Sequence, residues 1–443
     1  MERTNILIKI FIALCFYDFL NNHLYGYKSI DYKLNVEYCI RKEKSNSNGK
    51  SKNKNQISES NIEKGLKMIS ERSCIVFLKK SSCEEKKKIC KKECTEKSKK
   101  KKSKKNKKSK CTKKCEYVLV KKSSPFIKFS YDKNSHIRDY NFNGSVSLMR
   151  TVAFEMKINE NCNKNPGCVA RMVLMYLGLI PTVRRRDRDI FVSVDDTKIK
   201  NEYKQLYSVL PDVPLFVNYD FSSIAHYSQH YGESSNGTTF SLKTLHLATD
   251  ALTGQEYRPA FSDLKWLYFA HCRKDLLYSI KCKNGGYPKS GNSSECECPT
   301  GFSGETCDKL EKSDNGCHES SISVKNTFTK IFEIKGQKNC TTILTSPAKT
   351  RIGIRIFELN CEEKMSCFEN DCLQIKYEKD MALTGVCFCG TKIINVRVTS
   401  HSNQTVIRYT GSNSSSYARI GYYLSNDDYQ RNEYDQEFCK EDL

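Results

Sequence analysis

Twenty-three cysteines in 443 residues constrain this chain more than any other feature, because their density limits where its crossings and loops can fall. Setting aside Cys15, which lies in an apolar leader, leaves an even 22. Parity and density of this kind belong to an oxidising compartment, where thiols pair as disulfides rather than holding metals. The leader NILIKIFIALCFYDFLNNHLYG follows Arg3 and turns polar after a short apolar run. Runs of roughly 7–15 apolar residues suit a cleaved secretory signal, whereas a membrane span needs ~20. A signal over 1–26 is therefore expected, with no transmembrane anchor. Sequons at Asn143, Asn236, Asn292, Asn339, Asn403 and Asn413 fit the same secreted, extracellular and glycosylated reading.

The formal net charge is +23, but much of the excess sits in KSKKKKSKKNKKSK, Lys97–Lys110. Such a run speaks of solubility and acidic partners rather than of fold. In a secreted chain it points to sulfated glycans and not to nucleic acid. The interval 83–115 carries five cysteines around that run, and like charges that cannot pack together predict a solvated loop stapled at its base. The C-x-x-x-C spacings Cys90/Cys94 and Cys111/Cys115 read as disulfide spacing rather than zinc ligation.

At roughly 150 residues per domain the length allows about three units. YKLNVEYCIRK, CIVFLKK, FIKFSY and VAFEMKI predict strands. SNIEKGLKMISERSC predicts an amphipathic helix with Ile62, Leu66 and Ile69 on one face and a capping box of Ser60 and Glu63. VARMVLMYLGL predicts a buried helix stopped by Gly178.

That last helix opens RMVLMYLGLIPTVRRRDRD, Arg171–Asp189. Its tail resembles the R-x-D-R-D that closes the extended zinc signature of the astacin family, H-E-x-x-H-x-x-G-x-x-H-E-x-x-R-x-D-R-D. In an ungapped register Gly178, Arg185, Asp187, Arg188 and Asp189 are retained. Arg171, Met175 and Pro181 stand at the three zinc-histidine positions, Met172 at the general-base glutamate, and Thr182 at the glutamate that follows the third histidine. YDFSSIAHY, Tyr219–Tyr227, is similar to the family Met-turn, with Ala225 for methionine and Tyr227 kept. TGQEYRPAFSDLKWLYFAHC resembles the closing segment, and the resemblance implies a Cys74–Cys272 bridge.

A guanidinium repels a dication, proline has no side-chain donor, and a thioether is a poor zinc ligand. Losing a general base alone costs about 10²–10⁴-fold in rate. No cofactor is therefore expected where the family uses zinc. His226 and His230, four apart without an acidic partner, are read as structural or solvated.

Cys282, Cys296, Cys298 and Cys307 in CKNGGYPKSGNSSECECPTGFSGETC resemble an EGF-like module. Cys317, Cys340, Cys361, Cys367, Cys372, Cys387 and Cys389 among short β-branched strands resemble a CUB β-sandwich. The expected fold class is thus α+β: an astacin-like metalloprotease domain over 27–272, an EGF-like module over 273–310, a CUB domain over 317–426 and a tail over 427–443. The function this implies is a metalloendopeptidase homologue that no longer cuts and binds an extracellular protein or peptide. The alternative is an active zinc metalloendopeptidase with a non-standard metal site.

Overall fold

The computed structural model describes residues 33–41, 57–83, 86–95, 110–119, 125–135, 154–234, 237–243, 252–273, 280–289, 294–364, 367–392 and 395–425. Its first layer is a four-stranded sheet of β1 (Leu34–Ile40), β2 (Ile75–Lys79), β5 (Phe126–Tyr131) and β6 (Phe154–Ile158), in the order β2-β1-β5-β6. Every pair in it is parallel, and parallel sheets need a covered face. That cover comes from α1 (Glu59–Ser70) and from α3 (Pro166–Tyr176), the latter directly after the short α2 (Glu160–Lys164). On α1 the residues Ile62, Leu66 and Ile69 are buried, each stabilising the domain by about 1.5–3 kcal/mol relative to exposure. The expected capping box is displaced. Ser58, not Ser60, caps α1 by accepting from Asn61 N at 3.4 Å, because Ser58 holds the extended backbone a cap requires.

The interval 83–115 also departs from the expected solvated loop. Strands β3 (Lys86–Thr95) and β4 (Lys110–Leu119) form an antiparallel ladder in which Cys90 faces Cys115 and Cys94 faces Cys111. Equal C-x-x-x-C spacings on the two antiparallel strands let both cysteine positions pair in one register. Cys83 itself is bonded to Cys39 on β1, and residues 96–109 lie outside the described residues.

Beyond α3 the chain runs through α4 (Arg188–Phe191), β7 (Val192–Val194), β8 (Phe240–Leu242) and α5 (Phe261–Leu267). Cys74 and Cys272 are disulfide-bonded across 198 residues, with Cα atoms 5.5 Å apart. A small disulfide-rich module follows, held by Cys282–Cys296 and Cys298–Cys307.

The last domain is a β-sandwich of two five-stranded sheets. Its strands alternate as a half-buried strand must: Ile352, Ile354 and Ile356 are buried along one, Phe332 and Ile334 along another. Cys317–Cys340, Cys361–Cys372 and Cys367–Cys389 close its loops. Even parity does not pair every described cysteine, for Cys387 is free and buried. It sits in the sheet opposite Gln374, where it packs as a small apolar side chain. Asn339 and Asn413 are exposed, while Asn403 is half-buried with Nδ2 donating to Ser346 O; Asn143, Asn236 and Asn292 lie outside the described residues.

Polar contacts join the units. The Thr384 amide and hydroxyl both donate to Asp220 Oδ2, at 3.2 and 3.1 Å. Arg72 reaches from the end of α1 to Glu297 at 3.1 Å and to Cys298 O.

Candidate functional site

Helix α3 is capped by Asn165, whose side chain accepts from Gly167 N, with Pro166 at its first position, a favoured arrangement because proline lacks the amide that would go unpaired there. Nine consecutive residues, Gly167 to Met175, are buried. A Cβ on Gly167 would lie 2.0 Å from Glu256 O and 2.5 Å from Tyr257 O. Only glycine lets the segment carrying Glu256 pass this close to the helix. Gly178, with φ of 107°, ends the helix in a conformation that L side chains rarely adopt.

The close passage brings Glu256 to Arg171. Arg171 Nη1 donates to Glu256 Oε1 at 2.9 Å, and its guanidinium stands 5.7 Å from the centre of the Tyr227 ring. Its side chain is 4% exposed. Tyr227 is flanked by Tyr207 and Tyr231, with ring centres at 5.4 and 4.4 Å. Arg184, a few residues beyond α3, is buried with its Nε donating to Ser208 O, and burial lowers its pKa. Burial raises the Tyr227 pKa well above the usual phenol range, while the charges of Arg171 and Arg184 pull the other way. Met172, Met175, Pro181 and Thr182 are buried as well, and the Thr182 hydroxyl has no hydrogen-bond partner.

The retained charged tail acts on its own backbone. Arg185 grips Asp187 side-on, Nε to Oδ1 at 2.9 Å and Nη2 to Oδ2 at 2.8 Å, the bidentate geometry that only arginine offers. Arg188 Nη1 donates to the carbonyls of Val183 and Tyr207, and its Nε pairs with the exposed Asp189 at 3.2 Å. These bonds tie the segment after Gly178 to the loop that carries Tyr207.

The turn from Tyr219 to Tyr227 hangs on three buried side chains. Asp263 on α5 accepts from Ser223 Oγ at 2.6 Å and from the amides of Ile224 and Ala260 at 2.8 Å. Gln255 Nε2 donates to Ser222 O. His226 Nδ1 lies 2.8 Å from Tyr227 O and its Nε2 lies 2.9 Å from Tyr219 Oη. A carbonyl can only accept, so Nδ1 carries the proton and Nε2 accepts from the tyrosine. His230 is exposed and, contrary to expectation, has an acidic partner, Glu233, at 2.7 Å. A buried and an exposed ring do not converge on one ion.

Burial holds the His226 pKa down to about 4, with the Arg171 charge adding to it and the Tyr227 carbonyl opposing. Burial pushes Asp263 up to about 7 against its three hydrogen bonds, with Asp220 adding to the rise. The two act in opposite senses. As pH falls from ~6.5 to 4 the unfolded chain protonates its histidine and the native chain does not, a loss of about 3 kcal/mol. From ~7 to 4 the native chain protonates Asp263 ahead of the unfolded chain, a gain of about 4 kcal/mol. The stability deficit of His226→Gln relative to the parent should therefore shrink between pH 7.5 and 4.5, and that of Asp263→Asn should grow. Thermal midpoints at the two pH values check this; deficits independent of pH would reject it.

Zinc does not fit the residues at the family ligand positions. A buried guanidinium already paired to a carboxylate, one thioether and a proline supply no imidazole or free carboxylate donor. Among the described residues no group of three or more His, Cys, Asp and Glu side chains could hold a metal ion, and no helix is long and apolar enough to cross a membrane. Glu256 and Tyr207, which complete the Arg171 site, are absent from the sequence-based expectations. Their only linear signal is an acid beside Gln255 in the closing segment.

The fold and site define a protease-type α+β domain joined through a disulfide-rich module to a β-sandwich. Residues 122–272 match the family model described as Astacin, a peptidase family, and residues 318–424 match that of the CUB domain. The chain thus carries an astacin-type domain followed by a CUB domain. It is 28% identical over 298 residues to the zinc metalloproteinase nas-34 of Caenorhabditis elegans, covering 65% of this chain and 48% of that one. It is 27% identical over 241 residues to the zinc metalloproteinase dpy-31 of Brugia malayi, covering 50% and 39%. The chain thus spans about half the length of nas-34 and less of dpy-31. Among solved structures, High choriolytic enzyme 1, a hatching enzyme zinc-protease from Oryzias latipes, aligns with a TM-score of 0.38 and 16% identity, over 56% of this chain and 94% of that one.

Proposed function

We propose that this chain is a secreted astacin-fold pseudoprotease: it binds an extracellular protein or peptide without cutting it, and it carries no zinc. The observation that carries the reading is the buried Arg171–Glu256 pair at the first family ligand position. An internal cation there takes the place that a metal would need, and Coulomb repulsion at close range in a site of low dielectric opposes a second one. Met172 in place of a carboxylate leaves no base to activate water. In this reading Arg185, Asp187, Arg188, Asp189 and Tyr227 are scaffold, a signal covers 1–26, and the domain units fall at 27–272, 273–310 and 317–426. The middle one is an EGF-like module that, with the CUB domain, adds protein contacts.

Purified full-length protein is expected to contain well under one zinc per chain by elemental analysis. It is also expected to leave a peptide library intact under conditions in which an active astacin relative digests it. Stoichiometric zinc displaced by a chelator, with cleavage lost in parallel, would overturn the reading and favour a hydrolase with a non-standard metal site.

The lysine run Lys97–Lys110 adds an anchor for sulfated glycans, whose charge density matches a basic cluster. Replacing Lys99–Lys102 and Lys104–Lys105 with Gln should lower the salt concentration at which the protein leaves a heparin column. Unchanged elution rules the anchor out.

A further inference from the structure

Arg171 uses one nitrogen, Nη1, on Glu256. Its Nε and Nη2 are sealed from solvent and have no hydrogen-bond partner. These two atoms form the side-on edge of the guanidinium. It is the same edge with which Arg185 takes both oxygens of Asp187. A buried cation normally satisfies its remaining donors. Among the buried side chains without partners in the described residues, Arg171 is the one that leaves two atoms of a single fork unmet.

We infer that the free edge of Arg171 is a carboxylate-binding fork, and that the former catalytic cleft recognises its peptide through a carboxylate seated on Nε and Nη2. This inference rests on the non-hydrolytic reading proposed above. A planar group with two oxygens matches two parallel N–H bonds. A phosphate dianion matches less well, since it would add two negative charges beside Glu256 on the same guanidinium where a carboxylate adds one. Arg184 adds positive charge around Tyr227, where both guanidiniums act. Because the edge is closed to solvent, a carboxylate reaches it only when a lining side chain moves. The carboxylate can come from a peptide C-terminus, from an Asp or Glu side chain, or from a small free acid.

The test uses the full-length protein with its metal content measured in the same preparation. Three random peptide pools are titrated: one with free C-termini, one amidated, and one amidated and lacking Asp and Glu. Sodium formate and inorganic phosphate are tested separately by thermal shift at matched ionic strength. A terminal carboxylate ligand gives at least tenfold tighter binding of the free pool than of the amidated one. An acidic side chain gives equal binding of those two and loss with the third. A saturable midpoint rise with formate and none with phosphate, without peptide binding, assigns a small free acid. Arg171→Lys keeps the charge but loses the fork, and should weaken the preferred probe at least tenfold. If that variant does not fold, the pool comparison on the parent protein decides alone. Equal binding of all three pools together with no formate response overturns the fork. Stoichiometric zinc with peptide cleavage overturns the non-hydrolytic reading instead, so the two failures are distinguishable.

Discussion

Replacing Glu256 with alanine is expected to destabilise the protease-type domain by about 3–5 kcal/mol, the usual result of removing one partner from a buried ion pair. Arg171 is almost wholly buried, with Glu256 the carboxylate on its Nη1. The loss therefore strands a charge on a helix whose neighbours are Val169, Val173 and Leu174. Glu256 also accepts from Asn161 Nδ2 at 2.8 Å, so its removal loosens α2 as well. The double replacement Arg171→Met with Glu256→Gln should recover much of the stability, because an unpaired charge no longer remains. Thermal or denaturant midpoints of the three proteins measure the effect. If the single variant is as stable as the parent, the pair is not what keeps the cleft in shape.

Loss of the Cys74–Cys272 bridge is expected to cost about as much or more. A crosslink that closes a loop of 198 residues removes unfolded-chain entropy worth about 5 kcal/mol in the loop-closure model. The bridge joins the start of β2 to the segment after α5, and both cysteines are buried. Cys74→Ser with Cys272→Ser should therefore lower the thermal midpoint steeply, with the yield of folded protein falling in parallel. A midpoint within a degree or two of the parent's would mean that packing of α1 and α5, and not the crosslink, holds these ends together.

Much of the architecture is legible in linear order because its signals are local. The 3.6-residue spacing of Ile62, Leu66 and Ile69 marks a helix face wherever the helix lies, and Gly178 ends α3 by its backbone alone. The paired cysteines of the module are close in the chain, so their loops are short. By contrast, Ser58 rather than Ser60 as the cap of α1 depended on backbone angles that composition does not reveal. The ladder of β3 and β4 depended on register between strands separated by the lysine run. Cys387 escaped the parity argument because a count cannot tell a paired thiol from one packed in a core.

The functional site divides in the same way. Arg171, Met172, Met175 and Pro181 can be read along the chain as departures from the family pattern, since residue identity alone decides which donor a position offers. What stands there is a contact between residues 85 apart, made possible by the missing Cβ of Gly167 and flanked by tyrosines from two separate segments. Side-chain identity dictated which donor atoms stand at the family positions. Only the tertiary fold decided that its guanidinium would be buried, paired on one nitrogen and left without partners on its fork, because burial and pairing depend on which distant segments the packed core brings within reach.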